Sequence, residues 1–229
     1  MRNKSVLLLA SILAILVLAP NAWSDYCAQY CNPVATGWAN YCSQNCSGTP
    51  LTTGGTDGPF QVRYAANLAI GDSFIDISNT GATGSDICAN VYAFDPDEQL
   101  VSCCSCKVTP NALESLSVRN DLISNTFTPG VPISVVIKLV ATKPLPGDSC
   151  SNSAAIASSL TLVSGMRAWG TTLHANTSAA AGTYALTETD FSPATLSRGE
   201  LNRLSNLCQF IDVNGSGFGI CASCRVGGL

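Results

Sequence analysis

Twelve cysteines and a single histidine are the residues of this 229-residue chain best equipped for chemistry. Thiolates hold metals or exchange electrons, and once oxidised they cross-link the chain. An imidazole beside a serine or cysteine activates a nucleophile. The cysteines fall into three groups. Cys27, Cys31, Cys42 and Cys46 read C-x3-C, ten residues, C-x3-C. The i, i+4 spacing sets each pair on one helix face, and Asn32-Pro33 and Gly37 mark a turn between them. A helical hairpin then nests Cys31–Cys42 inside Cys27–Cys46, and closing a loop of about 20 residues is worth roughly 3 kcal/mol. The rival is a four-thiolate zinc site, for which x3 is loose spacing.

The second group is Cys88, Cys103, Cys104, Cys106 and Cys150, and the third is Cys208, Cys221 and Cys224. Both counts are odd. If every cysteine is oxidised, at least one bridge joins the groups and ties the C-terminal end to the middle of the chain. Ile87–Phe94 and Gln99–Cys106 read as strands around Asp95-Pro96-Asp97-Glu98. With Phe94 opposite Gln99, Cys88 lies diagonal to Cys103, while Cys104 and Cys106 face the other way. Cys88–Cys103 is therefore the expected local pair. Cys221-Ala222-Ser223-Cys224 has redox spacing, but it follows a glycine-rich stretch and lacks the strand-to-helix setting of a thiol oxidoreductase. Cys103-Cys104-Ser105-Cys106 has iron–sulfur spacing, which export as an unfolded chain disfavours.

Other candidates have plainer readings. His174 falls in an expected strand, and no G-x-S-x-G occurs, since Asn214 stands where the first glycine before Ser216 belongs. Asp95, Asp97 and Glu98 surround a proline as turn residues do. Asp212-Val213-Asn214-Gly215-Ser216, with Gly217, begins like a calcium loop, but the twelfth position is Ser223 instead of Glu. Carbohydrate-binding sandwiches display flat aromatics, and beyond residue 24 the chain has only Trp38 and Trp169 for this. Asn45, Asn176 and Asn214 are glycosylation acceptors that matter only in a eukaryotic host. No catalytic residue, metal or cofactor is expected.

The elements that would position these groups are mostly strands. Gln61–Asn67, Ser73–Ser78, Ile87–Phe94, Leu100–Val108, Pro132–Thr142, Leu160–Val163, Met166–His174 and Thr183–Thr189 show period-two alternation or β-branched runs. Phe210–Val213 and Phe218–Cys221 suggest a hairpin around Asn214–Gly217. Turn signals every 8–15 residues, without a βαβ rhythm, predict a mainly β chain: an antiparallel β-sandwich, immunoglobulin-like or related. One helix is expected from Ser197-Arg198-Gly199-Glu200, a capping box, with Leu201, Leu204 and Cys208 on one face. A helical turn is expected at Pro110–Glu114, and Ser153–Ser159 is ambiguous.

Residues 1–24 have the form of a secretory signal: Arg2 and Lys4, an apolar run to Ala19, then Ala22-Trp23-Ser24 before Asp25. The run is shorter than the ~20 residues needed to span a bilayer. Cleavage leaves nine basic residues against 15 acidic ones, a net charge near −6. That balance argues against a nucleic-acid surface, and 12 cysteines in an exported chain argue for disulfides. The expected plan is 1–24 signal peptide, 25–46 cysteine-linked helical hairpin, 47–59 flexible linker and 60–229 sandwich.

Two stretches carry a resemblance. Phe74–Val118 (FIDISNTGATGSDICANVYAFDPDEQLVSCCSCKVTPNALESLSV) and Gly215–Leu229 (GSGFGICASCRVGGL) resemble segments of uncharacterised cysteine-containing exported bacterial proteins. The resemblance covers about a third of the chain beyond residue 24, omits the Cys27–Cys46 group, and implies export without assigning an activity. The expectation is a secreted or periplasmic, non-catalytic structural, adhesive or binding protein. Its partners would be other copies or cell-surface components, a surface filament being one case. The alternatives are a small exported hydrolase, which needs His174 beside a nucleophile, and a carbohydrate-binding module.

Overall fold

The computed structural model describes residues 57–124, 130–152, 160–176, 182–214 and 221. The signal segment, the Cys27–Cys46 hairpin, Ser153–Ser159 and Cys224 lie outside the described residues. The elements in chain order are β1 (Phe60–Ala65), β2 (Phe74–Asn79), β3 (Ile87–Phe94), β4 (Leu100–Val108), β5 (Leu113–Ser117), a π-helical turn (Val118–Leu122), β6 (Val135–Thr142), β7 (Met166–Ala175), β8 (Tyr184–Asp190), β9 (Ser192–Pro193) and helix α1 (Arg198–Asn214). Two antiparallel sheets result, ordered β4-β3-β6-β1-β9 and β5-β2-β7-β8. The chain is mainly β, in a sandwich-like arrangement with one C-terminal helix.

Alternation along each strand decides which side chains enter the core. Ile75 and Ile77 of β2, Ala89 and Val91 of β3, Ile137 and Leu139 of β6, and Met166 and Ala168 of β7 meet between the sheets. The other face of the five-stranded sheet is also covered. There Phe60, Tyr92, Phe94, Cys103 and Val140 pack against Leu201, Leu204, Cys208 and Ile211 of α1. Strand β3 is consequently buried at all eight positions, which is why ICANVYAF reads as a near-continuous apolar run. Its one amide, Asn90, is fully satisfied: Nδ2 donates to Val140 O (2.8 Å) and Thr142 Oγ1 (3.1 Å), and Oδ1 accepts from Ser105 Oγ (2.7 Å).

Helix α1 starts where the capping signal placed it. Ser197 Oγ accepts from the Glu200 backbone N–H at 3.1 Å. The Glu200 carboxylate is engaged by Lys138 Nζ at 2.5 Å, which ties the first turn to β6. The helix then runs through Phe210–Val213, where a hairpin strand was expected. Ile211 extends the buried stripe of Leu201, Leu204 and Cys208 by another turn, so helical packing overrides the β-forming residue types. Two further expectations change. Pro110–Glu114 is not a helical turn: Pro110 and Asn111 form a tight turn, with Asn111 at φ 63°, and β5 starts at Leu113. Leu160–Val163 contributes a single bridge, Leu162 to Thr142. The described end of the expected linker is part of the fold, since Pro59 O accepts from Ala141 N–H (2.7 Å) and Asp57 O from Gly165 N–H (2.9 Å).

Three bridges join distant parts of the chain: Cys88–Cys150, Cys103–Cys208 and Cys104–Cys221, across sequence separations of 62, 105 and 117. Two of these described bridges link the second cysteine group to the third, where the odd counts require at least one. The chain-entropy model gives each about 4–5 kcal/mol when taken alone. Cys106 is also in disulfide form. Cys103 faces α1 while Cys104 and Cys106 face the inter-sheet core, matching the alternation. The Cys88–Cys103 pairing is overturned. A register shift between Ala93 and Phe94 pairs Phe94 with Leu100 and puts Cys88 opposite Lys107. Cys88 and Cys103 share a face but stand too far apart along it, so each bonds to a different element.

Candidate functional site

Strand β7 is longer than its neighbour on one side. Its Met166–Gly170 pairs with β2, whereas Trp169–Ala175 pairs with β8. The second half of β7 therefore continues with β8 as a two-stranded ribbon past the end of β2. Side chains of the adjoining loop hold its base. Asn67 Nδ2 donates to Leu173 O (2.8 Å), Thr171 Oγ1 accepts from Phe74 N–H (2.9 Å), and Ser73 Oγ donates to Thr171 O.

A buried arginine crosses from the other sheet to reach the ribbon. Arg63 of β1 donates through Nη1 to Thr189 O (2.8 Å) and to Thr189 Oγ1, and through Nη2 to Thr172 Oγ1 (2.9 Å). Burial pulls its pKa below the ordinary arginine range. Space for the guanidinium exists because residue 170 is glycine. A Cβ there would lie 2.7 Å from Arg63 Nε and 2.9 Å from Phe74 O.

Strand β8 is exposed at all seven positions, and among the described strands it pairs only with β7. Cross-strand register sorts its side chains. Tyr184, Leu186, Glu188 and Asp190 stand opposite Ala175, Leu173, Thr171 and Trp169 on the outer face; Ala185, Thr187 and Thr189 stand opposite His174, Thr172 and Gly170 on the other. Trp169 is half-buried on the outer face, flanked in register by Asp76 on β2 and Asp190 on β8. Phe74 and Leu113, both exposed, share that face. Arg167, farther along the same row, pairs with Asp57 at 3.6 Å. The outer face thus combines exposed apolar groups with the carboxylates Asp76, Glu188 and Asp190.

The remaining candidates from the sequence lie elsewhere and do not converge. His174 is exposed on the ribbon, its Nε2 2.8 Å from Thr187 Oγ1. Asp95 Oδ1 accepts from the backbone N–H of Asp97 (3.0 Å) and Gln99 (2.9 Å), so the acidic turn closes on itself. Asp212 belongs to α1, which removes the extended loop a calcium site needs. One sulfur each of Cys103 and Cys208 and a carboxylate oxygen of Asp212 lie within 4.8 Å of one another, but the sulfurs are bonded together and only the carboxylate is left to offer. Cys88, Cys103, Cys104, Cys106, Cys150, Cys208 and Cys221 are all in disulfides, so no described cysteine is a free nucleophile. Tyr92 Oη is buried beside Ser205 on α1, and burial pushes the phenol far above its usual range, keeping it protonated.

No family model matches the chain, and no curated protein matches it. Among solved structures, a Thermotoga maritima protein described as "Thermotoga maritima 1070" overlays with a TM-score of 0.35 at 10% identity, covering 60% of this chain and 97% of that one. A likeness at that level bears on neither fold nor function.

Sequence reading found β8 as a strand without marking it as the exposed edge. That property depends on which strand ends up beside β7, and no local pattern encodes it. One signal was present: in YALTETD no face is strongly apolar, unlike the core strands.

Proposed function

We propose that this chain is an exported, disulfide-locked protein of the cell exterior with a non-catalytic adhesive or binding role, and that the β7–β8 ribbon is its contact element. The observation that carries this is β8 itself: a seven-residue edge strand, exposed throughout, standing at the margin of a fold whose other sheet is covered on both faces. Natural edges of that length are usually blunted by charge, proline or a bulge; β8 has no proline, bulge or lysine, and its charges, Glu188 and Asp190, sit at one end. Long-range disulfides fit an oxidising compartment. No described helix is long and apolar enough to cross a membrane. The resemblance of Phe74–Val118 to exported bacterial proteins points the same way, and we read the sandwich as immunoglobulin-like or related. His174, bonded to a threonine hydroxyl on an exposed ribbon, supports the hydrolase alternative poorly.

The test is retention of the purified chain on isolated envelopes of the producing cell. The double variant Tyr184→Ser with Leu186→Asp should lower retention at least tenfold while the melting temperature holds. Retention unchanged by that variant, or a hydrolytic activity abolished by His174→Ala, overturns the reading. A second reading has one observation in its favour. Trp169, flanked by Asp76 and Asp190, offers a ring for stacking and carboxylates for sugar hydroxyls. Quenching of Trp169 fluorescence by soluble polysaccharides is the measurement for it.

A further inference from the structure

We infer that the free edge of β8 takes up an extended peptide from a different protein, one that carries basic residues at alternate positions. This rests on the ribbon being the contact element and names what it contacts.

Strand addition needs an edge with unused backbone donors and acceptors, and β8, which among the described strands pairs only with β7, offers one at alternate residues. Side chains then choose the added strand. On the outer face β8 presents Tyr184 and Leu186 at one end and Glu188 and Asp190 at the other. The nearest cation along that face, Arg167, is engaged with Asp57. An antiparallel strand whose residues alternate Lys-x-Lys opposite Asp190 and Glu188, then present apolar groups to Leu186 and Tyr184, satisfies both ends at once. The opposite face, with Ala185, Thr187 and Thr189, asks only for small or polar partners.

The same charges disfavour a second copy. An antiparallel pairing of two β8 strands centred on Thr187 puts the two Glu188 side chains diagonal to each other, and an in-register parallel pairing puts them side by side. An antiparallel register centred on Leu186 separates them but sets each Glu188 against Tyr184. No register brings a cation, since β8 has none. Nor does the chain hold a suitable strand elsewhere: the only basic residues two positions apart are Arg2 and Lys4, within the segment read as the signal peptide. Glu188 and Asp190 therefore act as selectors, favouring a basic strand over a second copy.

The experiment uses the full chain after residue 24 and two labelled peptides, Lys-Thr-Lys-Thr-Val-Thr-Phe and its counterpart with Glu for Lys, followed by fluorescence anisotropy. The wild type should bind the basic peptide about tenfold more tightly, the combined effect of two cross-strand ion pairs. The variant Glu188→Lys with Asp190→Lys should reverse the preference, and its melting curve reports whether it is folded. Equal binding of both peptides overturns the inference. So does failure of both peptides together with a native mass of two chains that Leu186→Asp returns to one, which means self-pairing at this edge. Failure of both peptides while Trp169→Ala abolishes envelope retention also overturns it, in favour of a saccharide on the outer face. If neither peptide binds yet Tyr184→Ser with Leu186→Asp still loses retention, the ribbon keeps its contact role and only the strand partner is wrong.

Discussion

The two sheets are built from similar strands and live in different surroundings. The β4-β3-β6-β1-β9 sheet lies between a second sheet and a helix, and disulfides from β3 and β4 reach residues 62 to 117 positions away. Among the described residues the β5-β2-β7-β8 sheet has a core on one face only, and it ends in a strand with no buried residue. Rigidity is concentrated at β3 and β4, where burial and cross-links coincide. Exposure is concentrated at β8, where neither is present. Beyond the apolar core between the sheets, a polar contact ties the ribbon back: Arg63 from the first sheet grips threonines of the ribbon through the gap left by Gly170. The ribbon is thus exposed without being loose at its base.

That contrast can be broken from its stable side first. Leu139→Ala removes a fully buried side chain between the sheets and should cost about 2–5 kcal/mol in urea unfolding. Replacing Cys103 and Cys208 together by alanine should cost about 3–5 kcal/mol under the same oxidising conditions. A loss below about 1 kcal/mol in either case would mean that the doubly covered sheet is not where stability resides.

The joint between the regions comes next. Gly170→Ala forces a methyl group against Arg63 Nε and Phe74 O, and should cost about 1–3 kcal/mol. Its signature should be local: amide exchange should quicken along Thr171–Ala175 and Tyr184–Asp190 more than along β3. Uniform exchange changes would remove the idea of a separate ribbon. Ser197→Ala deletes the N-cap of α1 and should cost about 1 kcal/mol, seen as a lower melting temperature. The smallest effects belong to β8 and its neighbour. Leu186→Ser and His174→Ala should each stay within about 0.5 kcal/mol of wild type. A larger loss for Leu186→Ser would show that the ribbon is part of the core after all.

Much of the fold was legible because it is locally encoded. The Asp95-Pro96-Asp97-Glu98 turn placed β3 and β4, alternation put Cys103 and Cys104 on opposite faces, and the Ser197 cap gave α1 its start. What could not be read depends on distant contacts. The bulge after Ala93 shifts Cys88 to a position opposite Lys107, so the local bridge to Cys103 gives way to Cys150. Phe210 and Val213 suit a strand by type, yet Ile211 has α1 packing to complete, and the helix continues. For the site, the residues were visible and the place was not. Leu186 and Glu188 became an exposed edge only when β8 fell last in its sheet.

The adjacent Cys103 and Cys104 have one more consequence. Their sulfurs point to opposite faces of β4, and their partners come 105 and 117 residues later. Neither bridge can close until Cys208 and Cys221 have followed. A chain cut short before Cys208 lacks both partners and leaves Cys103 and Cys104 as thiols on opposite faces of β4. The pair therefore makes the covalent state of β4 depend on residues more than a hundred positions downstream.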